Sequence, residues 1–149
     1  MKIALIGSAP SSVRLAPYQD PDWEIWGCSP GAYPFAGPHA DVWYELHRWE
    51  PQIPGMVGSG QPWFTPEYCE FLTRFNKGPV WMIDPPPEIP NALAYPVNDM
   101  VEKYGPFFFT SSLSWMFAQA LEREGVEEIG LWGVDMSAHE EYGLQRPGC

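Results

Sequence analysis

Residues 1–12 read MKIALIGSAPSS. The run from Lys2 to Ile6 reads as one continuous apolar strand that stops at Gly7, the pattern of a strand buried on both of its faces. Strands of that kind sit inside a mainly parallel sheet, so the rest of the chain is expected to alternate strands with helical segments. The strand delivers a small-residue turn, Gly7-Ser8-Ala9-Pro10-Ser11-Ser12, whose purpose is the question the sequence raises.

Working outward, Ser11 to Ala16 has room only for a short helix before Pro17 and the Asp20-Pro21-Asp22 cluster break the chain. Trp23 to Trp26 forms a second β-like run ending at Gly27, and Asp41 to Leu46 a third. Glu50 to Pro62, with three prolines and three glycines, reads as loop. Thr65-Pro66-Glu67 is a helix start, with a hydroxyl cap, a proline in the first turn and an acid near the positive end of the dipole. That helix is expected to reach Asn76, with Tyr68, Phe71, Leu72 and Phe75 along one face. Pro79 to Ile83 is a fourth strand, stopped by the prolines at 85–87. A helix between Ser111 and Glu124, capped by Ser111 or Ser112 and ended by Gly125, leads into a strand over Ile129 to Trp132. The fold class expected is α/β: a single Rossmann-like domain over residues 1–149, with a mainly parallel sheet and flanking helices.

With 149 residues, 45% of them apolar and 15% aromatic, the chain is large enough for one sizeable core. A formal charge of −11 repels a polyphosphate backbone, which argues against extended nucleic acid but leaves room for a small anion held by backbone N–H groups. Cys28, Cys69 and Cys149 have neither disulfide-framework nor zinc spacing, and a cytoplasmic setting is expected from them. No apolar run is long enough for a membrane span, so no membrane partner and no cofactor are expected.

In parallel sheets, ligands bind beyond the carboxyl ends of the strands. The segments expected there are the turn with Gly7, Ser8 and Ser11, the stretch Gly27-Cys28-Ser29-Pro30-Gly31, His47-Arg48-Trp49, and Gly133-Val134-Asp135, with Thr110-Ser111-Ser112 opening the last helix beside them. The first turn is neither GxGxxG nor a P-loop, which disfavours a nicotinamide dinucleotide or a P-loop triphosphate. Its hydroxyls and amides suit a phosphate or ribose, or they cap a helix. Asp135 suits a ribose or a loop anchor, and the hydroxyls of Thr110 and Ser111 suit a ligand or a helix cap. Glu45 and His47 alternate onto one side of the third strand, as an acid–base pair or a structural ion pair. His139-Glu140-Glu141 lacks metal-ligand spacing, and Cys28 reads as a nucleophile at a strand end or, better, as a small buried or half-buried thiol. Most tryptophans fall in elements and belong to the core, whereas Trp49 and Trp63, in loops, are candidates to stack on a base.

GSAPSS, GCSPGAY and TSSLSWMFAQALEREGVEEIGLWGVDM together resemble the bacterial sialyltransferases of glycosyltransferase family 42 and related Rossmann-like domains of unknown function. WEIWGCSP and WYELHRWEP are also similar to stretches of small phage-encoded proteins. The resemblance implies a nucleotide or nucleotide-sugar as partner, with CMP-activated sialic acid as the family's donor. It places Ser8 and Ser29 where the family has asparagines near the nucleotide, Thr110 and Ser111 near the sugar, and Tyr142 near the departing phosphate. Phe108 and Phe109 stand where an arginine is expected. The family's histidine falls beyond the chain, which leaves His47 or His139 as the base and a final strand unaccounted for after QRPGC. The function implied is binding, transfer or cleavage of a nucleotide-activated sugar. The competing class is a non-enzymatic phage factor that captures a nucleotide-derived signal or a host protein.

Overall fold

A computed structural model describes residues 1–135. One six-stranded sheet, every pair of it parallel, runs in the order β5-β4-β3-β2-β1-β6 and carries four helices. The strands are β1 (Lys2–Ile6), β2 (Trp23–Cys28), β3 (Val42–Glu45), β4 (Val80–Met82), β5 (Ala92–Ala94) and β6 (Glu128–Trp132); the helices are α1 (Ser29–Ala36), α2 (Pro66–Arg74), α3 (Val97–Tyr104) and α4 (Ser112–Glu122). The expected α/β Rossmann-like fold is therefore present. The first five strands step in one direction from β1, and the sixth returns to β1's other side, so the strand order reverses between β1 and β6.

The alternation of side chains sorts the core into two layers. Ala4, Ile6, Ile25, Trp43 and Met82 face α1, α2 and a short 3-10 turn at Val13–Leu15. Ile3, Leu5, Trp26, Val42 and Tyr44 face α3 and α4 through Met100, Met116 and Ala120. The period of two thus places neighbouring residues of one strand in different cores.

Three elements go beyond the sequence reading, and each is set by tertiary packing rather than propensity. α1 contains Pro30 and Pro34 and is held down by buried Ala32 and Ala36, with Gly27 of β2 beneath. A Cβ on Gly27 would lie 2.3 Å from the Trp43 ring and 3.1 Å from Ala36 Cβ, so only glycine lets helix, strand and indole meet there. β5 is three residues with two of them exposed, too short for periodicity to announce. α3 is brought in by Met100, and Gly105 at φ 83 ends it. α2 stops at Arg74, two residues short of expectation, and the segment expected as a short helix after β1 is only the 3-10 turn.

Candidate functional site

The carboxyl ends of β1 and β6 lie side by side, Ile6 against Trp132, and the turns that follow are stitched together. The Gly7 N–H donates to the Trp132 carbonyl, the Ala9 N–H to the Gly133 carbonyl and the Gly133 N–H to Ser12 Oγ, at 2.8, 2.8 and 2.9 Å. Ser11 Oγ donates to Asp135 Oδ1. Backbone meets backbone at this crossing: a Cβ on Gly7 would sit 2.4 Å from the Gly133 oxygen, and Gly133 has φ 70. Ser11 and Asp135, both candidates for the ligand, are thus brought together across the sequence and spend that contact on each other.

Ser8 emerges exposed from the same turn and rests on the first turn of α1. A Cβ on Gly31 would lie 2.9 Å from Ser8 Cβ and 3.2 Å from its Oγ. Ser29, the first residue of α1, has φ 62, the left-handed region, and is the only non-glycine residue there among the described residues. No side chain caps α1, whose N-cap is Cys28. The start of α1, including the Gly31 N–H, therefore lies against the turn that carries Ser8, and an uncapped helix start of this kind is suited to an anion. The outline Gly27-Cys28-Ser29-Pro30-Gly31 matches the nucleophile elbow G-x-S-x-G, but that elbow draws an oxyanion donor from the residue after the serine, and Pro30 has no N–H. Burial pushes the Cys28 thiol up to about 12, so it is no thiolate nucleophile.

On the other helical layer, Thr110 is exposed and Ser111 caps α4 in a reciprocal box: Ser111 Oγ accepts from the Ser114 N–H at 3.4 Å, and Ser114 Oγ accepts from the Ser111 N–H at 3.2 Å. α4 runs into β6, so its start lies at the same edge of the sheet as Ser8 and Ser29 but across the strands. An apolar cavity of about 220 Å³ opens between α4 and β6, lined by Phe108, Phe109, Leu113, Phe117 and Leu131, and none of the nominated polar residues lines it.

At the end of β3 a hydrogen-bonded chain leaves the core. Trp43 Nε1 donates to Tyr68 Oη at 2.9 Å, and the Tyr68 hydroxyl donates to Glu45 Oε2 at 2.6 Å. Glu45 Oε1 accepts the His47 N–H at 3.1 Å and lies 2.6 Å from His47 Nδ1. Glu45 is fully buried, whereas the His47 side chain is 45% exposed, 5.6 Å from the ring of Trp63. The hydrogen bond to Glu45, reinforced by its charge and opposed by partial burial, raises the His47 pKa above the ordinary 6.5. Burial and the same carboxylate push the Tyr68 hydroxyl well above its ordinary value.

Both readings of the Glu45–His47 pair meet in one geometry, since a buried carboxylate orienting an exposed imidazole is also an ion pair. Tyr68 and Trp43 were legible only as core residues, because the chain that joins them spans different elements. Trp49 packs edge-on against Phe64 at 5.0 Å and is partly buried against the core, while Trp63 stays 41% exposed. His139 and Tyr142 lie outside the described residues. No group of histidine, cysteine and acidic side chains placed to hold a metal occurs among the described residues, and no helix there is long and apolar enough to cross a membrane. No family model, curated protein or solved structure matches the chain.

Proposed function

We propose that the carboxyl edge around β1, β2 and β6 binds a nucleotide or nucleotide-activated sugar through its phosphate. One observation carries this reading: the turn after β1 is packed so closely on the start of α1 that a Cβ on Gly31 would lie 2.9 Å from Ser8 Cβ, which sets Ser8 against a helix start that no side chain caps, beside the point where the strand order reverses. Helix amides bind phosphate whatever the net charge, so the formal −11 of the chain is no obstacle. Ser8 and Ser29 supply hydroxyl donors at the phosphate, and Thr110 and Ser111, across the strands, stand toward the sugar. Gly7 and Gly133 hold the two turns together, and the Ser11–Asp135 bond ties them again.

Titration calorimetry against CMP, UMP, AMP and their sugar conjugates tests this. The expected result is saturable binding by the native chain, weakened at least about tenfold when Ser8→Trp fills the space over α1 with little change in melting temperature. A folded chain that binds none of these compounds overturns the reading and turns attention to a protein partner. Binding with no release of nucleotide from the sugar conjugates identifies a capture protein rather than an enzyme.

A further inference from the structure

We propose that the chain carries a separate binding site toward the amino ends of the strands, where a small, neutral, planar molecule is held through a carbonyl oxygen that accepts the Trp26 indole N–H. The site is remote from Ser8 and Ser29 and does not depend on the nucleotide reading.

It is a cavity of about 220 Å³ between the sheet and the helices α3 and α4. Trp26 of β2, Trp81 of β4 and Met100 of α3 form its apolar wall, and Gln119, Glu122 and Arg123, from the end of α4, form its polar one. Val42, the first residue of β3, also lines it, which sets the cavity at the opposite edge of the sheet from the turn after β1. It shares no residue with the apolar cavity between α4 and β6.

The observation that points to a ligand is in the apolar wall. Trp26 is 2% exposed, and its Nε1 is the one buried side-chain nitrogen or oxygen without a hydrogen-bond partner among the described residues. A buried donor without an acceptor is a cost that a phenylalanine in the same place would avoid. A guest that brings an acceptor into the cavity removes that cost, so the orphan donor becomes a source of affinity.

The neighbouring groups narrow the chemistry of the guest. Gln119 Oε1 accepts the Tyr44 hydroxyl at 2.9 Å, which leaves the Nε2 amide as a second donor. Glu122 is already engaged by Lys103 Nζ at 2.7 Å and by the Tyr104 hydroxyl. What the wall offers is therefore donors, and the guest must supply the acceptor. Its charge is set by the same pairs. Lys103 is matched by Glu122 and Arg123 by Glu24, at 3.4 Å, so no cation is left over for an anion, and the formal −11 of the chain opposes one further.

Shape and size complete the description. Two indoles and a thioether suit a flat apolar body. A cavity of about 150 Å³ holds benzene, so this larger one takes a substituted ring or two fused rings. An aromatic amide or lactam meets all three demands, with its ring against the indoles and its carbonyl oxygen between Trp26 Nε1 and the Gln119 amide.

The test follows the indole N–H resonances of the native chain by NMR, with Trp26 assigned from the spectrum of Trp26→Phe. The probes are benzamide and oxindole, which carry the carbonyl, benzoate, which adds a charge, and ethylbenzene, which lacks the acceptor. The expected result is saturable binding of benzamide or oxindole with a Kd of about 1 mM or tighter, the range open to so small a ligand, and a downfield move of the Trp26 N–H. Benzoate and ethylbenzene are expected to bind at least about tenfold more weakly, and Trp26→Phe and Trp81→Ala to weaken oxindole at least about fivefold. Should either variant fail to fold, the Trp26 resonance of the native chain decides alone. Absence of saturable binding by both carbonyl probes, or binding that leaves the Trp26 N–H where it was, overturns the proposal. Benzoate binding as tightly as benzamide overturns the neutral guest, and ethylbenzene binding as tightly, or an unweakened folded Trp26→Phe, overturns the role of the indole N–H.

Discussion

Trp43 and Trp26 sit on adjacent strands, both buried, and face opposite layers of the same sheet. On the layer under α1 and α2, the Trp43 indole N–H begins a chain of hydrogen bonds that ends at an exposed imidazole. On the layer under α3 and α4, the Trp26 indole N–H is buried with no partner among the described residues. An orphaned buried donor is a cost, while a satisfied chain through a low-dielectric core is a construction in which each bond polarises the next. The first layer therefore carries a chain of polar bonds from the core to an exposed imidazole, while the second is mainly packing, with separate bonds such as Tyr95 Oη to the Trp115 carbonyl and Tyr44 Oη to Gln119 Oε1.

The sharpest way to break the first layer is at its narrowest point. Gly27→Val would drive two methyls into the Trp43 ring and α1, and is expected to cost about 3 kcal/mol, the upper end of ordinary overpacking, read as a drop of roughly 6–12 °C in melting temperature. A fall of less than about 1 kcal/mol would mean that α1 lifts off the sheet easily, and the comparison of layers would lose its basis. Tyr68→Phe, which leaves the Glu45 carboxylate without its hydroxyl donor, is next, at about 2 kcal/mol in denaturant titration.

The two indoles can be compared directly. Trp43→Phe loses ring contacts and an N–H that has a partner; Trp26→Phe loses ring contacts and an N–H that has none. The second substitution is expected to be milder by about 1 kcal/mol, since removing an orphan donor offsets part of the lost packing. Equal costs would mean that the bond to Tyr68 contributes nothing net.

The smallest effect concerns pH. His47 has a folded-state pKa raised by its hydrogen bond to Glu45, so the stabilisation from that pair is complete below the ordinary value of 6.5 and is lost as pH rises through the higher folded value. The His47 ring resonances followed by NMR should titrate above 6.5, and in Glu45→Gln they should move back down. A ring that titrates unchanged in Glu45→Gln would separate the imidazole from the buried chain.

How much of this was legible in advance differs from element to element. β1 matches its expected ends residue for residue, because a short apolar run bounded by glycine is a local signal with one reading. The starts of α2 and α4 were marked by Thr65 and Ser111, and those residues do cap the helices: Thr65 Oγ1 accepts the Tyr68 N–H and Ser111 closes the capping box, whereas α4 stops at Glu122 with Arg123 as its C-cap, short of the expected Glu124, and Gly125 (φ 76) lies in the turn beyond. The Glu45–His47 alternation was readable, since period two is a property of any strand. The partner behind Glu45 was not, because Tyr68 lies 23 residues away and its amphipathic helix reads the same whether or not a carboxylate waits beneath it. Ser11 and Asp135 stood equally well as ligand contacts until their 124-residue separation closed into one bond.

From the sequence alone came the alternation of buried strands and capped helices, and with it a parallel sheet whose strand ends gather small and polar residues at one edge. Periodicity and end-capping are interactions among neighbours a few residues apart, so the order of residues suffices to state them. Which hydroxyl meets which carboxylate, and which histidine is backed by a buried acid, was decided only when helices docked and turns crossed. Those contacts depend on which distant side chains are driven from water into the same volume, and no local pattern carries that information.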